Sequence, residues 1–345
     1  MSNDKVKVLV AFPLSAELAQ KIAEVDPRIE LLYAPELLGT PRYATDHAPP
    51  VERSEEAEAR WQELLAQAEV IFGFDYSHLD DFQELTASLR WVQGTSTGIG
   101  MAVNRFGWDK SDVVFTTARG VHSGPLAEFC LMAMLMFVKD AFRMEAEKER
   151  RHWERYAGST LRGKTLVVIS LGSGGQAVAR RARCLGMRVF GTKRTIEGLE
   201  PTSLGVECLY PWTDLEPMLA QADFVVLYLP HTAETEGLIG RAQLAAMKPG
   251  SVLINVARGA VWDEPAVVEA LETGHLGGLA SDVFAVEPLS EDSPLWDMPN
   301  VIISPHSASA ADSENAKVTN LFCDNLARYL RGQPLLNVLD AERLY

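Results

Sequence analysis

Three ionisable residues each follow directly on an apolar run: Arg258 after SVLINVA, Glu287 after LASDVFAV and His306 after VIISP. Such β-branched runs read as buried strands, and in an open parallel sheet the strands' carboxyl ends share one edge, where ligands bind. Residues distant in the chain therefore meet there. As a set they suit the reduction of a carbonyl beside a carboxylate. Arg258 forks onto the carboxylate, while His306 as imidazolium delivers a proton to the carbonyl oxygen and, as the neutral ring, removes it in the reverse direction. Glu287, bonded to the other ring nitrogen, would fix the tautomer and favour the charged imidazole. Singly, each has a plainer reading: a strand-end charge, a surface acid, a core histidine. Together with the glycine-rich turn described next, they favour a functional cluster.

Residues TLVVISLGSGGQAVARRARCLGMRVFGTKRT read as a strand, a glycine-rich turn, a helix and a second strand, the setting of a G-x-G-x-x-G phosphate loop. Two registers fit, Gly172-x-Gly174-x-x-Ala177 and Ser170-x-Gly172-x-x-Gly175, and the second is preferred because its turn starts directly after the strand. In it Gly172, Ser173, Gly174 and Gly175 form the loop and helix start that cradle a pyrophosphate. Ser170 stands where a first glycine would have ready access to positive φ, so a displaced loop is expected. A site that prefers NAD places an acid at the end of the second strand, but here the chain reads Thr192-Lys193-Arg194-Thr195. Lys193, Arg194 and Thr195 suit a 2′-phosphate, so NADP(H) is expected, with NAD(H) and a merely solvated basic turn as the alternative.

The elements that must position these groups alternate from Lys164 onward. Strands are expected at Thr165–Ile169, Arg188–Gly191, Phe224–Leu229, Val252–Val256, Gly278–Val283 and Val301–Ser304, with helices such as Ala177–Leu185 and Glu264–Thr273 between them. That rhythm predicts an α/β doubly wound parallel sheet of six strands. The first hundred residues predict a smaller α/β unit, with strands in VKVLVAF, EVIFGFD and LRWVQGT and helices at Ala16–Val25 and Arg60–Ala68. Residues 40–58, rich in Pro and charge, predict a surface excursion without a legible role. A helix from about Ala310 to Arg331 would dock on either unit.

The chain has 345 residues, 47% of them hydrophobic, so two folded domains are expected rather than a disordered or disulfide-framework protein. Its 32 Lys and Arg against 47 Asp and Glu give a net charge of −15, which disfavours nucleic acid and anionic membrane as partners. Four scattered cysteines read as reduced thiols, and MSNDKVKVLVAF carries no secretory pattern, so a cytoplasmic location is expected. Leu126–Val138 is apolar but interrupted by Glu128, and predicts a buried helix. Histidines 47, 78, 122, 152, 231 and 275 show no ligand spacing, so no metal is expected.

From Gly120 to about Val338 the sequence resembles the D-isomer-specific 2-hydroxyacid dehydrogenases, the family that includes glyoxylate/hydroxypyruvate reductases. The resemblance rests on VHSGPLAEFCLMAML, the glycine loop, ADFVVLYLPHTAETEGLI, MKPGSVLINVARGAVWDEPAVVEAL, SDVFAVEPL and NVIISPHSASA, in family order. It implies a Rossmann cofactor domain, residues 114–308, and a smaller flavodoxin-like substrate domain, residues 1–113 plus 309–345. It implies the roles argued above for Arg258, Glu287 and His306, with His306 beside the nicotinamide. Asp282 would contact the nicotinamide carboxamide, and Leu229, Pro230, Val256 and Ala257 would lie along the cofactor. Thr97, Gly98 and Ile99 would hold the substrate carboxylate through their backbone, together with Arg258. A homodimer is implied too, consistent with a helix near Pro125 that is apolar on most faces. Gly174 departs from the branched aliphatic usual in the family and Gly100 from the usual acid, while Glu287 argues against formate as substrate. Two readings stay open: a reductase of a small 2-keto acid, and a dinucleotide-sensing binding protein without turnover.

Overall fold

The computed structural model describes residues 5–340, and the chain divides into two units, one formed up to Val121 and again from Ala310, the other from His122 to Ser309. The first unit runs β1 (Val6–Val10), α1 (Ala16–Ala23), β2 (Ile29–Leu32), α2 (Glu55–Gln67), β3 (Val70–Phe72), α3 (Phe82–Leu85), β4 (Trp91–Gln93), α4 (Gly100–Arg105) and β5 (Val114–Thr116). Its five strands are parallel, in the order β2-β1-β3-β4-β5. Two of them, β2 and β5, go beyond the three strands expected: both are short edge strands, β2 half-buried along most of its length and β5 only three residues long, with Phe115 and Thr116 buried. β5 also moves the domain boundary. The sequence places it after residue 113, but Thr116 pairs with Gln93, so the chain leaves this unit only after Val121. Helix α2 starts five residues before the expected Arg60, because the Ser54 hydroxyl accepts from the Ala57 N–H at 3.3 Å and Glu55, Glu56 and Glu58 favour the positive helix end.

Residues 39–53 cross the carboxyl edge of β1 and β3 without helix or strand. The excursion is braced internally by Arg42, whose Nε lies 2.7 Å from the Asp46 carboxylate, and tied to the last helix by His47, whose Nε2 lies 2.7 Å from Asn315 Oδ1. With Pro13, Trp61, Phe74 and Asp75 it lines a cavity of about 320 Å³.

The second unit runs α5 (Ser123–Lys139), α6 (Ala141–Glu149), β6 (Thr165–Ile169), α7 (Ser173–Cys184), β7 (Arg188–Lys193), β8 (Cys208–Pro211), α8 (Glu216–Leu219), β9 (Phe224–Leu227), α9 (Arg241–Ala246), β10 (Ser251–Asn255), α10 (Glu264–Glu272), β11 (Leu276–Ser281) and β12 (Val301–Ile303). The parallel sheet has seven strands, β12-β11-β10-β9-β6-β7-β8, rather than the six expected. β8 escaped the sequence reading because it is an outer strand, exposed or half-buried along its length and ended by a proline. The chain winds outward from β6 to β8, returns to place β9 beside β6, then winds the other way to β12. That reversal opens a crevice at the carboxyl ends of β6 and β9, where open α/β sheets bind ligands. One face of the sheet packs Val168 and Ile254 against Ala127, Cys130 and Val178 of α5 and α7; the other packs Leu227 and Leu253 against Leu244 and Val267.

The last helix, α11 (Glu314–Tyr329), docks on the first unit. Val318, Phe322 and Leu326, spaced four apart on one stripe, pack with Val10, Phe72 and Trp91, and the Phe72 and Phe322 rings stack at 4.2 Å. Among the described residues no helix is long and apolar enough to cross a membrane, and no cluster of His, Cys, Asp and Glu could hold a metal ion.

Candidate active site

Arg258, Glu287 and His306 leave β10, β11 and β12 at the same edge of the sheet, and three local devices bring them together. The first is Asn255, fully buried at the end of β10. Its Oδ1 accepts from the Ala257 N–H at 3.0 Å and its Nδ2 donates to the Arg258 carbonyl at 3.2 Å, folding the turn that turns out Arg258. The second is Gly259, where a Cβ would stand 1.9 Å from the Phe284 carbonyl oxygen, so only glycine lets the turn after β10 pack on the turn after β11. The third is His306 itself. It takes a φ of 53°, and its N–H donates to the Asp282 carbonyl at 2.9 Å.

The result is a linked set. His306 Nδ1 lies 2.7 Å from Glu287 Oε2, and Glu287 Oε1 accepts from the Phe284 N–H at 3.0 Å. The Glu287 hydrogen bond raises the His306 pKa against the opposing effect of burial. Burial raises that of Glu287, yet the bonds from His306 and Phe284 outweigh it and hold the carboxyl below its usual value. Burial lowers that of Arg258, and the charges of Glu287 and Asp282 oppose the shift. Asp282, 3% exposed, is raised by burial although Oδ1 accepts from the Ser304 hydroxyl and from the Ser307 and Ala308 N–H groups at 2.6–2.8 Å.

On the other side of the crevice, α7 begins directly after Gly172, with Ser173 and Gly174 as its first residues. A Cβ on Gly172 would meet nothing within 4 Å, so the loop has an open face in front of the helix N–H groups. A Cβ on Gly175 would stand 2.1 Å from the Ser170 carbonyl oxygen, so the helix packs on the strand end as closely as glycine allows. Ser170, where a displaced loop was expected, sits at the turn from β6 into α7. It takes φ 80°, the conformation that glycine adopts freely, and its N–H donates to the buried Thr192 hydroxyl at 2.9 Å. These features fit a dinucleotide pyrophosphate.

The remaining residues singled out from the sequence fall in two places. Leu229 and Pro230 follow β9, Val256 and Ala257 follow β10, and Asp282 follows β11, all at the carboxyl edge of the seven-stranded sheet. Lys193 ends β7; Arg194 and Thr195 follow it, and Arg194 pairs with Glu234. Thr97, Gly98 and Ile99 lie between β4 and α4 of the first unit, Thr97 and Gly98 exposed and Ile99 buried. Sequence reasoning passed over Asn255, Gly259 and Tyr228. Asn255 left a trace, a polar residue closing the apolar strand SVLIN; Tyr228 left one in its position directly after β9.

A crevice bounded by a phosphate loop and an Arg, Glu and His set defines a dinucleotide-dependent oxidoreductase fold. The model of the D-isomer specific 2-hydroxyacid dehydrogenase NAD binding domain matches residues 131–308, and the chain belongs to that family. It is 34% identical over 287 residues to glyoxylate/hydroxypyruvate reductase B of Pectobacterium atrosepticum, covering 81% of this chain and 88% of that protein. A crystal structure of a D-isomer specific 2-hydroxyacid dehydrogenase family protein from Aeromonas salmonicida superposes with a TM-score of 0.81 at 29% identity, covering 98% of this chain and all of the other. Another, from Xanthobacter autotrophicus in complex with NADPH and MES, gives 0.77 at 29% identity, with 99% and 100% covered. The match to the D-3-phosphoglycerate dehydrogenase of Methanocaldococcus jannaschii spans 46% of that longer protein.

Proposed function

We propose that this protein reduces a small 2-keto acid of the glyoxylate or hydroxypyruvate type with NADPH and, in reverse, oxidises the D-2-hydroxy acid. The observation that carries this reading is the His306–Glu287 contact of 2.7 Å beside Arg258, within one unit and on the edge that also bears the phosphate loop. A bound nicotinamide supplies the hydride. Arg258 holds the substrate carboxylate through the part of its fork that is not donating to the Ala257 carbonyl, 2.7 Å away. His306, with Nδ1 engaged by Glu287, presents Nε2–H to the carbonyl oxygen and delivers its proton there as the alkoxide forms. Glu287 stabilises the imidazolium and fixes the ring.

The NADPH preference rests on Lys193, Arg194 and Thr195 after β7, and the Xanthobacter autotrophicus protein was crystallised with NADPH. One observation favours NADH instead: Glu234 engages Arg194. The pair is exposed, though, and such pairs are worth only about 0.2–1 kcal/mol, little against a 2′-phosphate that both cations could reach. Two copies are expected to pair through the exposed apolar side chains of the second unit, Met132, Leu135, Met144 and Trp153.

The deciding experiment is a panel of 2-keto acids assayed with NADPH and NADH, for the parent and for Lys193→Asp. The parent should turn over glyoxylate or hydroxypyruvate faster with NADPH, and the variant should shift the NADPH-to-NADH ratio of kcat/KM toward NADH by at least about tenfold. An unchanged ratio refutes the phosphate argument; ligand binding with no turnover of any keto acid refutes the enzyme.

A further inference from the structure

At the crevice between β6 and β9, two residues differ in size in a way that makes sense only as a pair. A Cβ built on Gly174 would stand 1.9 Å from Tyr228 Cζ, 2.2 Å from Cε1 and 2.2 Å from the hydroxyl oxygen. The phenol therefore occupies the space that a side chain on the phosphate loop would fill. It is seated firmly: the Tyr228 N–H donates to the Ile169 carbonyl at 3.1 Å, so the residue extends the β6–β9 pairing over the loop. Its hydroxyl reaches Ser123, the first residue of α5, and Ser123 Oγ lies 3.5 Å from Ser173 Oγ, the first residue of α7. Arg258 is close enough for its charge to act on the phenol, while burial keeps the phenol protonated well above the usual range. Tyr228 thus covers the phosphate loop at Gly174 and lies within reach of the Arg258 charge.

We infer that Tyr228, and not a side chain on the glycine loop, forms the wall of the dinucleotide site at this point, with Gly174 as its required partner. This rests on the reading of the crevice as a nicotinamide dinucleotide site. An aromatic face there offers the nicotinamide end a flat, rigid surface with few rotamers to order. The hydroxyl, held by Ser123, sets the tilt of that face. Ring and loop glycine are then coupled: enlarging residue 174 expels the ring, and removing the ring leaves a hollow that a larger residue 174 can refill.

The test is the dissociation constant of NADPH and of NADH in the absence of keto acid, read by quenching of protein fluorescence, with the melting temperature of the cofactor-free protein measured alongside. Tyr228→Ala and Gly174→Ala should each weaken binding at least about tenfold, while Tyr228→Phe, which keeps the ring, should stay within about threefold of the parent. Gly174→Leu placed on Tyr228→Ala should recover at least half of the lost affinity on a logarithmic scale, and should raise the melting temperature above that of Tyr228→Ala alone. Parental affinity in Tyr228→Ala, or a double variant no better than Tyr228→Ala in either measure, overturns the pairing and leaves the dinucleotide reading intact. A parent that binds neither dinucleotide overturns both.

Discussion

At the scale of single residues, the site turns on one charge acting on one ring. The Glu287 carboxylate, 2.7 Å from Nδ1, raises the pKa of His306, and the proposed reduction uses the protonated ring. The rate of keto-acid reduction is therefore full below that pKa and falls as pH rises through it. Glu287→Gln keeps a hydrogen-bonding oxygen but removes the charge, so the falling limb should move to lower pH and kcat/KM at neutral pH should drop at least about tenfold. The pH profile of kcat/KM for the parent and variant decides this, and a limb that stays in place means another group donates the proton. Arg258, Glu287 and His306 were visible in the sequence because each directly follows an apolar strand run and the three share that pattern. Asn255 and Gly259 were harder to find. What they do is hold backbone to backbone across two turns, and one-dimensional spacing does not reveal which turns touch.

The elements explain how residues so distant in the chain acquire fixed geometry. The turn after β10 seats on the turn after β11 at Gly259, and the Ala285 N–H of that second turn donates to Glu264 Oε2 of α10 at 2.8 Å. Gly259→Ala would set a Cβ 1.9 Å from a backbone carbonyl, which cannot rotate away as a side chain would. The two turns must separate, and a misplacement near 1 Å costs catalysis about 10²-fold. Steady-state kinetics of this variant should show that loss in kcat/KM together with a lower melting temperature; parental kinetics would mean the turns are not interlocked. At the β6–α7 junction the sign reverses. Ser170 holds φ 80°, a conformation that costs an L-residue roughly 1–2 kcal/mol, so Ser170→Gly should stabilise the protein by up to about 1 kcal/mol once glycine's extra unfolded-state freedom is subtracted. Thermal unfolding checks it, and a lowered midpoint would show that the Ser170 side chain contributes more than its backbone costs. The central strands of both sheets were legible because burial on both faces demands continuous apolar runs. Three edge strands, β2, β5 and β8, were not: β2 and β8 are half-solvated and β5 is only three residues long, whereas the edge strand β12 was legible through its apolar run VII.

At the scale of the whole molecule, apolar exposure and net charge act on self-association in opposite directions. In the second unit Trp153 is 94% exposed, with Met132, Leu135 and Met144 each 40% exposed or more. The Trp153 segment is nevertheless ordered against α5 and α6: the Tyr156 hydroxyl donates to the Lys139 carbonyl at 2.9 Å, and the Arg143 guanidinium stacks 4.5 Å from the Tyr156 ring. A solvent-facing tryptophan on an ordered segment is the residue type enriched at interface hot spots. The proposed pairing of two copies predicts a sedimenting species of twice 37.9 kDa at micromolar concentration, and a shift of Trp153→Glu to the single-chain mass. Each copy also carries a net charge of −15, and at about 0.01 M salt the screening length of about 30 Å lets the two copies repel as whole bodies. At about 0.15 M it shrinks to about 8 Å, and apolar burial should then dominate. Sedimentation velocity should therefore show tighter pairing at the higher salt. A parent that sediments as a single chain under both conditions refutes the pairing, and weaker association at the higher salt would mean that complementary charges, not apolar burial, hold the two copies together.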